Sequence, residues 1–276
     1  MKRLLVAVAL ALVAVSSSAA IQYEFTQKNT TTANADPISD LSARAIIDGE
    51  SSRIDFLAGS LYPPGTYVIS TDGSRRLLFV DPAKEWFTEI NTAGVATALG
   101  SSNIRISNFK STLETKDDRP IIAGIPTEHT RLTLTYDITL TMKAMPLSQH
   151  VRTEIDTWAT PRFAASSASS FLTSMRTGNP DIDRLLDVEA MKVKGFPMRQ
   201  TVTTRTLADL PPTKSELNVP SAKTIIREMW VTSIREVAPD ASVFLVPASF
   251  RRADVPLNEK AATVLTPEQW TTPPSK

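Results

Sequence analysis

The 276-residue chain contains no cysteine, two histidines and nine glycines. Without cysteine, the chain forms no disulfide and cannot carry the lipidated cysteine of a bacterial lipoprotein. No cysteine and only two histidines are too few ligands for the usual structural zinc sites, which are therefore excluded. The glycines form neither a G-x-G pair nor a Gly-Lys pair, which excludes the common phosphate-binding loops. We therefore expect no metal and no cofactor, and a fold that depends on the burial of apolar side chains.

No catalytic motif stands out in the sequence. The G-x-S-x-G motif is missing, and the S-x-x-K match at 107–110 lacks its companion motifs. The start of a calcium-binding loop is imitated at 179–183, but Arg184 stands where glycine is needed, and a helix cap explains these residues better. His129, on the polar side of a strand, and His150, in a turn, are interpreted as solvated surface residues. We expect a protein that is not an enzyme, although a pair of distant carboxylates stays open as an alternative.

The amino terminus has the features of a secretory signal peptide. Lys2 and Arg3 precede an apolar run at 4–15, and small residues follow at 16–20. We predict cleavage after Ala20 and a periplasmic or secreted protein. The apolar run is shorter than the ~20 residues that a helix needs to span a bilayer, so a retained anchor is the less favoured alternative.

The charge balance argues against nucleic acid as a partner. The whole chain has 30 basic and 29 acidic residues, and removing 1–20 takes away Lys2 and Arg3 alone, which leaves 28 basic residues and a net charge of −1. Nucleic-acid binding needs an excess of basic side chains concentrated on one face. The chain has no such excess.

Alternation of apolar and polar residues predicts strands over much of the chain. The clearest case is 129–143, where one face carries Leu132, Leu134, Tyr136, Ile138, Leu140 and Met142. Further strands are predicted at 21–25, 66–70, 76–80, 85–90, 196–207 and 226–234. Most of these segments are separated by turn residues, which favours antiparallel hairpins. The expected fold class is mainly β, in an α+β arrangement.

The helical part of that arrangement is predicted at 162–193. Apolar residues there, including Phe171 and Leu172, recur at helical spacing, and Asn179 and Pro180 mark the start of a second helix. We interpret this segment as a helical hairpin inserted between strands. One domain over 21–256 and a polar, proline-rich tail at 257–276 complete the predicted organisation.

Six stretches resemble a family of bacterial envelope domains that are similar to the periplasmic carrier of outer-membrane lipoproteins, with its LolA-like fold. The stretches lie at 65–70, 81–90, 122–129, 195–199, 231–236 and 240–250. The resemblance implies an open half-barrel, in which a curved antiparallel sheet has an apolar concave side covered by helices. It also implies that 240–244 caps one end, with Phe244 buried. The long loop at 210–221 and the tail depart from the family's pattern.

Two functions remain open. In the first, an apolar ligand such as a lipid, an acyl chain or a lipoprotein anchor binds between the concave face and the helical hairpin, which acts as a lid. The residues expected to line that site are Leu132, Leu134, Tyr136, Ile138, Leu140, Met142, Trp230, Phe171 and Leu172. In the second, the concave face is filled by its own side chains, and the protein is a scaffold that binds other envelope proteins.

Overall fold

A computed structural model of the protein describes eight segments of the chain. These are residues 20–31, 40–60, 62–72, 76–90, 104–142, 145–166, 195–209 and 222–253. The predicted signal peptide, apart from Ala20, the loop at 210–221 and the tail at 257–276 lie outside these residues. The helical hairpin predicted at 162–193 also lies outside them, except for its first residues.

The described residues form strands and short 3-10 turns, so the prediction of a mainly β protein is confirmed. The first seven strands are β1 (Ala20–Thr31), β2 (Leu41–Asp48), β3 (Ser51–Gly59), β4 (Tyr67–Ser70), β5 (Leu77–Asp81), β6 (Trp86–Ile90) and β7 (Ile104–Lys116). The others are β8 (Ile121–Ile122), β9 (Ile125–Pro126), β10 (Glu128–Met142), β11 (Met145–Thr160), β12 (Phe196–Asp209), β13 (Ala222–Val237) and β14 (Arg251–Arg252). The 3-10 turns are Pro82–Lys84, Pro161–Ser166 and Ala241–Phe244.

Twelve of these strands form one open sheet in the order β14-β6-β5-β4-β3-β2-β1-β13-β12-β11-β10-β7. Every neighbouring pair is antiparallel except β14 and β6, which are parallel. The two remaining strands, β8 and β9, form a small hairpin between β7 and β10. Because successive residues of a strand point to opposite sides, the sheet has two chemically distinct faces. We name the face that carries Tyr23, Phe56 and Leu132 the core face, and the opposite one the outer face.

The predicted strands at 129–143 and 196–207 are found as β10 and β12, whereas β11 was not predicted. His150 lies in β11 and not in a turn. The start of the predicted helix at 162 is a 3-10 turn, interrupted at Phe163, which has φ −120° and ψ 26°. The reason is packing, because Phe163 is buried against Phe196 in an edge-to-face contact.

Three apolar clusters hold the sheet to the segments that cover it. On the core face, Tyr23, Phe196 and their neighbours are covered by Ile122, Ile125 and Phe163. Further along the same face, Phe56 and Phe79 are covered by Tyr62, which stacks on Phe56 with ring centroids 4.2 Å apart. On the outer face of β4 and β5, Tyr67, Ile69 and Val80 are covered by Val246 and Phe250. Phe244 is buried within the third 3-10 turn, as the family resemblance implies.

The connection into β12 requires glycine at position 195. Gly195 has φ +86°, and a Cβ atom there would lie 2.6 Å from the carbonyl oxygen of Thr160. Gly65 has the same φ, but a Cβ atom there would meet nothing within 4 Å. The two positions therefore share a left-handed backbone that favours glycine, but only Gly195 lacks room for a Cβ atom.

We expect Gly65→Ala to lower the free energy of unfolding by about 1–2 kcal/mol, the cost of a left-handed backbone for a residue with a Cβ atom. Gly195→Ala adds a clash with a backbone carbonyl, so its total loss should reach about 3 kcal/mol or more. Urea unfolding of both variants measures the difference. Equal losses would contradict the close approach of Gly195 to Thr160.

Candidate functional site

A fourth apolar cluster lies on the core face near the β7 edge of the sheet. Its buried members are Leu132, Leu134 and Ile155, and Phe109, Tyr136 and Val202 pack against them. We name these six residues the edge cluster. All six belong to β7, β10, β11 and β12, so no described turn or hairpin contributes an apolar side chain to it. The other three clusters each include apolar side chains from a covering segment.

Strand register explains why the edge cluster is apolar. Leu132 pairs with Leu113 of β7 and with Ile155 of β11, and Ile155 pairs with Val202 of β12. These four side chains form one row perpendicular to the strands, in which neighbouring strands are about 4.8 Å apart. The centre of the row is buried, since Leu132 is 5% exposed, but Leu113 at the sheet edge is 43% exposed. The edge cluster therefore has a dry centre and an accessible margin.

The structure brings together part of the predicted site. Leu132, Leu134 and Tyr136 belong to the edge cluster, and the register places Ile138 on the same face, opposite Gln149. Strand β10 continues through Leu140 and Met142, whose backbones pair with Leu147 and Met145, and the described structure gives no side-chain environment for them. Phe171 and Leu172 lie outside the described residues.

Trp230 lies away from the edge cluster, on the outer face. Its neighbours Met229 and Val231 belong to the buried cluster around Tyr23, so Trp230 points to the opposite side. The alternation at 226–234 does not continue on one face, because the register of β13 against β1 shifts at Thr232. Phe25 pairs with Val231, but the preceding residue, Glu24, pairs with Ser233, so Thr232 is an extra residue in β13. Such a bulge reverses the faces along the strand.

Polar side chains share the core face with the edge cluster, and two pairs of them bond across β11 and β12. Thr153 Oγ1 lies 3.4 Å from Thr204 Oγ1, and Gln200 Nε2 donates to Thr157 Oγ1 at 3.3 Å. Gln149 differs. It is 3% exposed, and its carbonyl oxygen Oε1 has no hydrogen-bond partner. A buried acceptor without a donor is uncommon in folded proteins and costs about 1–3 kcal/mol.

The outer face carries a polar cluster around His129, which is 6% exposed, so its interpretation as a solvated residue was wrong. Its ring stacks on Trp158, with centroids 4.2 Å apart. Nδ1 lies 2.5 Å from Asp118, and Nε2 lies 2.8 Å from Asp156. Because both ring nitrogens contact carboxylates, His129 anchors the 117–120 segment to the sheet.

Neighbouring groups stabilise the charged forms within this cluster. Trp158 Nε1 donates to Asp118 at 2.9 Å, and this bond, with that from His129, lowers the pKa of Asp118. The two bonds from Arg131 to Asp156, at 2.8 and 3.1 Å, raise the pKa of the Arg131 guanidinium. The bonds to Asp118 therefore favour its carboxylate form.

Asp118→Asn should make the stability of the protein less dependent on pH in the acid range. The pKa of Asp118 in the folded state lies below the unfolded value of about 3.9, so its stabilisation is present above that value and is lost as the pH falls through the folded pKa. Urea midpoints measured between pH 3 and pH 6 test this. Asp117→Asn, at the adjacent exposed residue, is the control. An unchanged pH profile for Asp118→Asn would contradict the anchoring role.

Two cavities lined by described residues lie elsewhere. One, of about 340 Å³, lies between the β8–β9 hairpin and the turn at 160–162, and its lining includes Arg119, Ile125 and Arg162. The other, of about 260 Å³, lies on the outer face, beside Phe244 and Ile69. Neither is lined by a residue of the edge cluster.

Within the described segments, no three His, Cys, Asp or Glu side chains lie close enough to hold a metal ion. The same segments contain no helix with the length and apolar character required to cross a membrane.

Comparison with known proteins gives similarities to solved structures alone. No family model matches the sequence, and no curated protein matches it. The chain is similar to the crystal structure of a LolA superfamily protein from Nitrosomonas europaea, at 7% identity and a TM-score of 0.31, over 82% of this chain and 90% of that chain.

A second similarity is to PNGF-II, at 10% identity and a TM-score of 0.29. It covers 89% of this chain and 33% of the other, so the chain spans about a third of PNGF-II.

Proposed function

We propose that this chain is an exported, non-enzymatic protein of the bacterial envelope that binds an apolar ligand at the edge cluster. The ligand would be a lipid, an acyl chain or a lipoprotein anchor. In this proposal the sheet curves around the ligand, and the helical hairpin predicted at 162–193 lies over it as a lid. The signal-like residues at 1–20 support export to the periplasm.

The observation that carries the proposal is the difference between the edge cluster and the three other apolar clusters. Each of the others is covered by apolar side chains of a described segment, such as Phe163, Tyr62 or Phe250. The edge cluster has no such cover within the described residues, and Leu113 beside it is 43% exposed. Apolar surface removed from water stabilises a complex by roughly 25 cal/mol per Å², so an apolar chain that packs on the exposed side chain of Leu113 would bind favourably.

Leu113→Gln should weaken binding of an apolar ligand without unfolding the protein, because Leu113 lies at the accessible margin of the row. Loss of about 1 kcal/mol of apolar contact corresponds to roughly fivefold weaker binding. Fluorescence titration with cis-parinaric acid, a fatty acid that fluoresces when it is shielded from water, measures the dissociation constant.

Leu207→Gln is the matched control. Leu207 is 52% exposed and lies on β12, but five residues after Val202, and therefore on the outer face. Its substitution should leave binding unchanged. Equal effects of the two substitutions, or no binding of the fatty acid by the wild-type protein, would refute the proposal.

The competing function is a scaffold that binds another envelope protein, and the outer face supports it. Strand register places His129, Trp158, Arg199 and Trp230 in one row on that face. The Arg199 guanidinium lies 4.6 Å from the Trp158 ring centroid, and Lys28 Nζ lies 5.6 Å from that of Trp230. Tryptophan and arginine are enriched in the energetic centres of protein interfaces. Failure of fatty-acid binding would favour this function.

A further inference from the structure

Among the polar side chains that the structure describes on the core face, only Gln149 has a buried oxygen without a hydrogen-bond partner. The hydroxyls of Thr153 and Thr204 pair with each other, and Gln200 donates to Thr157. A second unpartnered atom, Thr26 Oγ1, is on the outer face next to Trp230 in the register. Gln149 Oε1 is therefore a buried acceptor without a donor on the same face as the proposed ligand.

The position of Gln149 relates it to the edge cluster. It lies on β11, on the same face as Ile155 and six residues before it, with Val151 and Thr153 between them on that face. At about 3.4 Å per residue, the two side chains are about 20 Å apart along the strand. In register, Gln149 lies between Ile138 of β10 and Ala208 of β12. An elongated molecule lying along β11 would thus contact apolar side chains at one end and an amide carbonyl at the other.

A carbonyl oxygen accepts hydrogen bonds and donates none, so it favours a ligand group that can donate a hydrogen bond. A hydrocarbon or a simple ester has no donor and leaves the acceptor unpaired. A hydroxyl, an amide N–H or an ammonium group would pair it and recover its desolvation cost.

We propose that Gln149 determines specificity in the ligand site. The ligand is an amphiphile whose apolar chain lies on the edge cluster and whose hydroxyl or N–H group donates to Gln149 Oε1. This inference rests on the proposed function, because it assumes that a ligand occupies the core face.

The test compares two probes with the same acyl chain. Monopalmitoylglycerol carries hydroxyl donors, whereas methyl palmitate carries none. Each probe displaces cis-parinaric acid from the protein purified after export, and the ratio of their dissociation constants is measured for the wild type and for Gln149→Met. Comparing this ratio between the wild type and the variant cancels the difference in hydrophobicity between the probes. Methionine keeps the length of the side chain and removes the amide acceptor, and Gln149→Leu repeats the test with a second apolar side chain.

We expect the preference for monopalmitoylglycerol to fall roughly fivefold to tenfold in Gln149→Met, the effect of one neutral hydrogen bond. Affinity for methyl palmitate should be unchanged or slightly tighter, because the variant has no unpaired carbonyl. Thr153→Val is the matched control. It removes a buried polar group from the same face and strand, but one that already has a partner, so the preference should remain at the wild-type value.

Two results would overturn the inference. An unchanged preference in Gln149→Met, or an equal fall in Thr153→Val, would remove the specific role of Gln149 while ligand binding itself stands. Failure of both probes and of cis-parinaric acid to bind the wild-type protein would instead refute the proposed function, and this inference with it.

Discussion

The unbroken antiparallel register of β10 and β11 is the constraint on which the rest of the structure depends. Pairing runs without a shift from Glu128 and Ala159 to Met142 and Met145. Because side chains alternate, this register places Leu132 and Leu134 on one face and His129 and Arg131 on the other. A slip of one residue would exchange the two faces, exposing the leucines and burying the charges. The edge cluster and the polar cluster therefore exist only in this register.

The polar cluster contributes to the core face although it lies on the other side of the sheet. His129 and Trp158 hold Asp118, which fixes the start of the connection from β7 to β10. The same connection forms the β8–β9 hairpin, whose Ile125 is buried against Tyr23 and Phe196. One end of the core face is thus closed by a segment anchored from the outer face.

The sequence predicts the burial of a side chain where the residues of its own strand determine it. The prediction fails where contacts with distant segments determine the burial. The alternation at 129–143 identifies β10 because its inward side chains are uniformly apolar. Strand β11 escapes prediction because its inward residues include the polar Gln149 and also Thr153 and Thr157, which bond to Thr204 and Gln200 of β12. The burial of His129 depends on Asp118 and Asp156, which the sequence alone does not bring together.

The central claim is that an apolar chain lies on the core face over β7, β10, β11 and β12. The most direct test is photo-crosslinking with a palmitate that carries a diazirine in its chain, followed by peptide mass spectrometry to locate the adducts. The account predicts adducts on core-face residues, with Leu113, Leu132, Ile155 and Val202 foremost, and their loss when unlabelled palmitate competes. Adducts confined to the outer-face row of Trp158 and Trp230, or adducts insensitive to competition, would contradict it.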